Sequence, residues 1–590
     1  MSSQRPASAG VRAVPPADDP GEPGTRTGAE ILVANLLAQG ATHAFCVPGE
    51  SFLAALDALH DVRERLALVV CRQEGGVTYM AEAYGKLTGR PGIAFVTRGP
   101  GASNAAIGIH TAAQDSTPMI VFVGQVGRDF RDREAFQEVD YRRMYGSVAK
   151  WVAEIDAAQR VPEYVARAYR TAMSGRPGPV VLALPEDMLT DRAACADLAR
   201  VDAVPAAPAP AQIAQVRDLL ATATAPMLVV GGSRWNDAAR AALVQFAESN
   251  ALPVACAFRR QDLFDNRHPQ YAGDMGIGIN PSLAARIRSA DALLVVGERL
   301  GEMTTSAYTL PAAPLPHQAH GLVHVHPGSE EIGKVYQPAI GIAAEPGAFL
   351  AAMNAGGPVD ASTWRGRLGD VQHDLAAWRA ARPVPGPLDL WAIVQWLDEH
   401  LPEDVIVSNG AGNYTVWMHR LFRYRTLGGQ LAPYSGAMGY GVPAAIAAKA
   451  VHPQRMVVSW NGDGCFLMNG QELATAVQHG LGVIFVVVDN GMYGTIRMHQ
   501  EKHYPGRVHG TTLRNPDFAA LARAYGAHGE TVRTTAEFAP AFARAVSCGQ
   551  PALLHLVVDP QALTMNASLD ALRTQGEAMR RPGETASVRR

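Results

Sequence analysis

Short, wholly apolar runs alternate with longer stretches of helical pattern along most of the chain. In the first part these runs are LALVV (Leu66 to Val70), GIAFVT (Gly92 to Thr97) and MIVFVG (Met119 to Gly124), with helix-length segments Gly75 to Leu87 and Ala102 to Ala113 between them. PMLVVGG, DALLVVGE and GLVHVHPG repeat the pattern further on, and MVVSW (Met456 to Trp460) and VIFVVVD (Val483 to Asp489) flank a helix expected near Met468 to His479. Strands that are apolar throughout, rather than alternating, belong to parallel sheets covered by helices on both faces. The alternation itself is that of βαβ units. The pattern predicts an α/β protein of three doubly wound parallel-sheet domains.

Pro/Ala-rich punctuation at Val204 to Ala211 and at Ala381 to Pro387 divides the chain. The expected domains are 29–192, 213–354 and 388–560, and the polar, Pro/Gly-rich ends at 1–28 and 575–590 read as flexible tails. Each domain is of ordinary size.

Composition narrows the function. The chain is 48% apolar and 18% charged with a net charge of −3, which leaves no basic footprint for nucleic acid or an anionic membrane. No run approaches the roughly 18 apolar residues of a membrane span, and the N-terminus lacks an apolar signal core. A cytoplasmic location is expected. The six cysteines form neither a disulfide framework nor a zinc cluster.

The densest chemistry lies in SWNGDGCFLMNG and VVVDNGMYG. In a right-handed βαβ unit both strands end on the same sheet edge, so Asp463 and Asn490 should meet there. A carboxylate, an amide oxygen and a backbone carbonyl beyond Asn490 are hard oxygen ligands suited to Mg²⁺. Gly462 and Gly464 allow close backbone approach to phosphates, and the helix start offers N–H donors. A lone GDG would be only a tight turn with a helix cap; the paired Asn490 makes it a site.

This segment resembles the thiamin diphosphate motif, which opens with GDG and closes with Asn-Asn; here the close is Asp489-Asn490. The resemblance implies that Asp463 and Asn490 bind the metal through side chains and Met492 through its carbonyl. It also puts Cys465, Tyr493 and Gly494 beside the cofactor. SNGAGNYTVW and YSGAMGYGVPAAIAA resemble the family's other cofactor segments, with Gly410 and Asn413 near the diphosphate and Met438 as the apolar wedge under the bent cofactor.

The N-terminal RQEGGVTYMAEAYGK and TRGPGASN resemble the acetolactate synthase large subunit and its relatives. Glu74 falls on the family's catalytic glutamate, which hydrogen-bonds the aminopyrimidine ring; alone, an acid in a first helical turn would only compensate the dipole. Ser51 matches the first cofactor-facing loop. Gln125, and Phe136 with Gln137, match the substrate side, Gln114 more weakly. His499 stands where the synthases carry a tryptophan that selects the acceptor. The family's sites form between subunits, which implies a homodimer or dimer of dimers.

Biosynthetic synthases also hold FAD. Gly231 to Ser233, and Gly297 to Gly301 with Arg299, lie in comparable places, but His324 and His326 replace an Ile-Asp pair whose acid would hold a ribose hydroxyl. That departure disfavours FAD, and the two histidines read as ordinary strand-end side chains. The expected activity is decarboxylation of a small 2-oxo acid followed by carboligation to a second carbonyl. A non-ligating decarboxylase or acyloin lyase is the alternative. A degenerate, non-catalytic relative is disfavoured by the intact Glu74 and metal set, and a dinucleotide oxidoreductase by the missing GxGxxG spacing.

Overall fold

The computed structural model describes residues 24–311 and 318–579. It contains three six-stranded sheets, parallel throughout, each flanked by helices. The first runs in space Ala67–Val70, His43–Cys46, Gly92–Val96, Met119–Gln125, Pro179–Pro185, Trp151–Glu154. Numbered along its own segment, that order is 2-1-3-4-6-5. The third sheet, built from Ile406–Asn409, Gln430–Leu431, Val457–Gly462, Ile484–Asp489, His528–Val532 and Ala552–Val557, has the same order. The middle sheet instead has the order 3-2-1-4-5-6 of doubly wound nucleotide-binding folds.

The predicted apolar runs form these strands because both their faces are covered; Met119–Gln125 and Pro179–Pro185 are buried at every position. Three local expectations need correction. The strand predicted to end at Trp460 continues through Gly462, so Asp463 is itself the first residue of a helix and NGDG is no separate turn. The single helix expected at Met468 to His479 is three pieces, Asp463–Asn469, a 3₁₀ turn Gly470–Glu472 and Leu473–Gln478. The expected tails reach too far inward. Arg26–Thr27 pairs antiparallel with Arg192–Ala193, a capped helix starts at Gly28, and Leu569–Met579 is helical. Residues 1–23 and 580–590 of those tails lie outside the described residues.

The middle unit also extends past 354: helix Arg367–Trp378 and Trp364 pack into its core. One hydrophobic core spans the first and third domains, where helix Glu74–Thr88 lies against helix Gly441–Val451. Glycine and alanine on both helices permit that approach. A buried polar cluster fastens it. Glu82 accepts hydrogen bonds from Tyr440 (2.5 Å) and Thr117 (2.6 Å), and Lys86 bridges Glu82 (3.1 Å), Asp115 and the carbonyl of Ala432 (2.9 Å). Asp115 in turn accepts the N–H groups of Tyr434 and Ser435, fixing the turn that carries Met438. Among the described residues no helix is long and apolar enough to cross a membrane.

Candidate active site

In doubly wound sheets ligands bind where the strand order reverses, beyond the carboxyl ends. In the third sheet that point lies between Ile406–Asn409 and Val457–Gly462, and the next residues are Gly410 and Asp463. A Cβ on Gly410 would stand 2.4 Å from Cys465 Sγ, so no larger residue fits without displacing it. That sulfur accepts hydrogen bonds from the Gly439 N–H (3.2 Å) and the Tyr414 hydroxyl (3.0 Å). Gly462 and Gly464 pack closely under the rings of Tyr414 and Tyr493. Glycines and a small thiol thus bring three backbone segments together at one edge.

Gly462 is paired with Val488 across the sheet, which sets Asp463 beside Asp489. The Asn515 amide joins them, its Nδ2 donating to Asp463 Oδ2 and to Asp489 Oδ1, both at 2.8 Å. Asp463 Oδ1 accepts the Gly464 N–H at 2.8 Å. Burial, with the charge of Asp489 adding to it, pushes the Asp463 carboxyl up to about 6. Burial also opposes ionisation of Asp489. Hydrogen bonds from His555, Asn515 and the Gly491 N–H outweigh it and hold that carboxyl below its usual range.

Asn490 Oδ1 accepts the Met492 N–H (3.2 Å), and the Met492 side chain is buried among Leu563, Leu569 and Leu572. Gly494 touches both Leu563 and the Asn490 amide. Asp463, Asn490 and Met492 are therefore gathered at the ends of adjacent strands. The donor set fits a hard cation: two carboxylates held together by a single amide, with Asn515 Oδ1 buried and without a hydrogen-bond partner beside them.

Other predicted residues are placed differently. Asn413 faces helix Gly494–His503 rather than open space: its oxygen accepts from Thr495 (3.0 Å) and its Nδ2 donates to the Leu563 carbonyl (3.3 Å). Met438 is half-buried, its carbonyl accepting from the Tyr79 hydroxyl of the first domain (3.3 Å). His499 is exposed on helix Gly494–His503, its ring parallel to that of His503. Partial burial and the nearby charges of Lys502 and His503 lower its basicity.

On the first sheet, Glu74 opens helix Glu74–Thr88, with the Gln73 side chain capping at the Gly76 N–H. Glu74 Oε2 accepts a hydrogen bond from Asn104 Nδ2 (2.9 Å), and Oε1 faces Gly101. Ser51 is fully buried, packed on Gly124 with its hydroxyl 3.0 Å from that of Thr97, so it offers no surface to a ligand. Gln125 is spent on backbone, donating to the Val139 carbonyl and accepting the Val126 N–H. That anchors the loop bearing Phe136, which is 72% exposed, while the Gln137 carbonyl accepts the Gly99 N–H.

Within one chain, among the described residues, no hydrogen bond joins Glu74, Gln125 or Phe136 to Asp463, Asn490 or Met492. Gln114 binds Arg299 (3.0 Å), whose guanidinium lies over the Tyr434 ring. His324 and His326 are buried against the carbonyls of Glu298 and Gly328, and burial lowers the basicity of both. Sequence reasoning missed Asn104, Asn515, His555 and Glu472, and took Asp489 only as a departure from the motif's Asn-Asn close. Asn104, inside the quoted TRGPGASN segment, and Asp489, inside VVVDNGMYG, carried a local signal.

Three family descriptions match successive parts of the chain: "Thiamine pyrophosphate enzyme, N-terminal TPP binding domain" at 26–144, the central domain at 213–353 and the C-terminal TPP binding domain at 410–556. The chain is 30% identical to the acetolactate synthase isozyme 2 large subunit of Escherichia coli, over 90% of this chain and 95% of that one. It is also 30% identical to a probable acetolactate synthase large subunit of Methanocaldococcus jannaschii (91% and 93% covered) and to the large subunit of Corynebacterium glutamicum (92% and 88%). Strand order, the carboxylate pair at the switch point and these similarities agree, and the chain belongs to the thiamin diphosphate-dependent, acetolactate synthase-like enzymes.

Proposed function

We propose that the chain decarboxylates a small 2-oxo acid such as pyruvate and ligates the resulting two-carbon fragment to a second carbonyl compound, using thiamin diphosphate and Mg²⁺. One observation supports this reading: Asp463 follows the strand at the switch point beside Gly410 and Cys465, and Asn490 follows Asp489 at the end of the neighbouring paired strand, on a sheet whose strand order repeats that of the sheet carrying Glu74. When bound, the cofactor supplies a carbon nucleophile and an electron sink for decarboxylation.

The protein's part is positional and acid–base. Asp463 and Asn490 through their side chains and Met492 through its carbonyl would hold the cation, and the N–H groups at the start of the Asp463 helix would donate to the diphosphate. Met438 would be the apolar wedge beneath the cofactor when it is bound. Glu74, turned by Asn104, keeps Oε1 for proton exchange with the aminopyrimidine nitrogen. Phe136 and His499 face the substrate, while Gln125 acts through the loop it anchors. The working form is a homodimer or dimer of dimers in which Glu74 of one copy serves the metal set of another. Leu467 and Met468, on the Asp463 helix, are 45% and 46% exposed and supply apolar surface for the second copy.

Product analysis with pyruvate and a panel of carbonyl acceptors tests the reading. A ligated hydroxyketo product is expected; acetaldehyde and CO₂ alone would convert the assignment to a decarboxylase. Glu74→Gln should lower turnover by about 10²- to 10⁴-fold while cofactor binding persists. Unchanged turnover refutes the role of Glu74.

A further inference from the structure

The Gln73 side chain caps helix Glu74–Thr88 at the Gly76 N–H from within the first domain, but the backbone N–H groups of Arg72 and Gln73, immediately ahead of the helix, find their acceptors outside it. Those acceptors come from the third domain. Glu472 Oε1 accepts the backbone N–H groups of Arg72 (3.1 Å) and Gln73 (3.0 Å), the two residues immediately before Glu74. Its Oε2 accepts from Thr475 (2.5 Å) and again from Arg72 (3.2 Å). His479 Nε2 takes the Val70 N–H (3.1 Å), and Gln478 takes the Arg72 guanidinium (2.5 Å). The whole strand-to-helix corner that presents Glu74 is thus held from another domain.

Glu472 is completely buried, and a Cβ on Gly76 would lie 2.4 Å from its Oε1, so the carboxylate is seated against the helix with no slack. It also ends the segment that Asp463 begins. On the way, Asn469 Nδ2 donates to the Gly439 carbonyl (3.1 Å), next to Met438. One short helical segment therefore carries the metal carboxylate at its start, braces the wedge turn near its end and seats the Glu74 helix at its last residue.

We propose that Glu472 is a positioning residue for Glu74: its acceptor oxygen, at its present reach, sets where the catalytic carboxyl stands. The proposal rests on the function proposed above. Reach, not charge, is what matters in it. Glu472→Gln keeps an acceptor oxygen at full length and loses the charge; Glu472→Asp keeps the charge and withdraws the oxygen by one methylene. Displacement of a catalytic group by about 1 Å can cost on the order of 10²-fold.

The test measures exchange of the cofactor C2 proton in deuterated buffer, by proton NMR, at saturating thiamin diphosphate and Mg²⁺, with the thermal midpoint recorded for each variant. The expected result is exchange within about 3-fold of wild type for Glu472→Gln and a drop of about 10- to 100-fold for Glu472→Asp, with turnover falling in parallel and KM little changed. Equal exchange in both variants and wild type, or a larger loss in Glu472→Gln, overturns the proposal. A shift in thermal midpoint without a change in exchange assigns Glu472 to stability alone and also overturns it. If the wild-type protein takes up no thiamin diphosphate, the functional reading fails first, and that outcome is distinct from either.

Discussion

His555 Nε2 stands 2.9 Å from the Asp489 carboxylate, on the strand paired in parallel with the one that Asp489 ends. Asp489 takes the place of the first asparagine in the family motif, and His555 and Asn515 are what let a second carboxylate sit beside Asp463. Asp489→Asn removes one negative charge from the cation's surroundings while Asp463 and Asn490 stay. With solvent and salt screening the charge, the expected loss is about 1 kcal/mol, or roughly 5-fold in Mg²⁺ affinity. Calorimetric titration of Mg²⁺ at saturating thiamin diphosphate checks it, and an unchanged affinity would show that Asp489 is electrostatically silent.

Gly410 and Cys465 form a second testable pair. Gly410→Ala drives a methyl into the space of the sulfur, 2.4 Å away, and overpacking of this kind shifts backbone. Thiamin diphosphate binding should weaken about 10-fold or more, with little change in the far-ultraviolet spectrum. Trimming the sulfur in a Gly410→Ala/Cys465→Ala double variant should restore most of the affinity. Failure of that rescue would place the damage elsewhere.

Glu501 ties the C-terminal helix Leu569–Met579 to helix Gly494–His503. It is fully buried, accepts two hydrogen bonds from Arg573 (2.9 and 3.0 Å), one from Arg497 (2.9 Å) and the Gly506 N–H (3.0 Å). The Arg573 bonds lead in lowering its carboxyl from 4.5 to about 2. A depressed folded-state value stabilises the protein at neutral pH, and that contribution is lost as pH falls from about 4.5 towards 2. Glu501→Gln should therefore cost about 1.5–3 kcal/mol at pH 7. The gap to wild type should narrow steadily in melts below about pH 4.5, and a gap independent of pH would contradict the ion-pair account.

Sharing of sites between copies is tested by complementation. Glu74→Gln and Asp463→Asn proteins are each expected to be inactive. Co-expressed or exchanged at random, half of the dimers are mixed and each holds one intact site of two, giving about a quarter of wild-type activity. No recovered activity would place Glu74 and Asp463 of the same chain in one site.

Much of this architecture is visible in the sequence because its causes are local. Continuous apolar runs report strands buried on both faces, and GDG followed by Asn490 reports two strand ends on one edge. What escapes is whatever depends on which surface meets which. Ser51 lies in the predicted loop yet is sealed beneath Gly124, and Asn413 is turned towards Thr495 and Leu563 by a helix far along the chain. Asn515 and Glu472 look like ordinary polar residues near helix ends until the fold carries them to Asp463 and to the amides before Glu74. The break of the Met468 to His479 helix at Gly470–Glu472 follows from the same docking, since that turn is where the carboxylate leaves the segment to reach the first domain.

The small ribbon formed by Arg26–Thr27 and Arg192–Ala193 has a practical corollary. It makes the first domain a closed loop of chain whose entrance and exit share one doorway. A peptide of a few residues spanning that doorway would permit circular permutation, with fresh termini opened at the surface turn around Gly89 and all six parallel strands kept in place. Cargo fused ahead of Arg26 would hang from the ribbon, not from the strand that delivers Glu74.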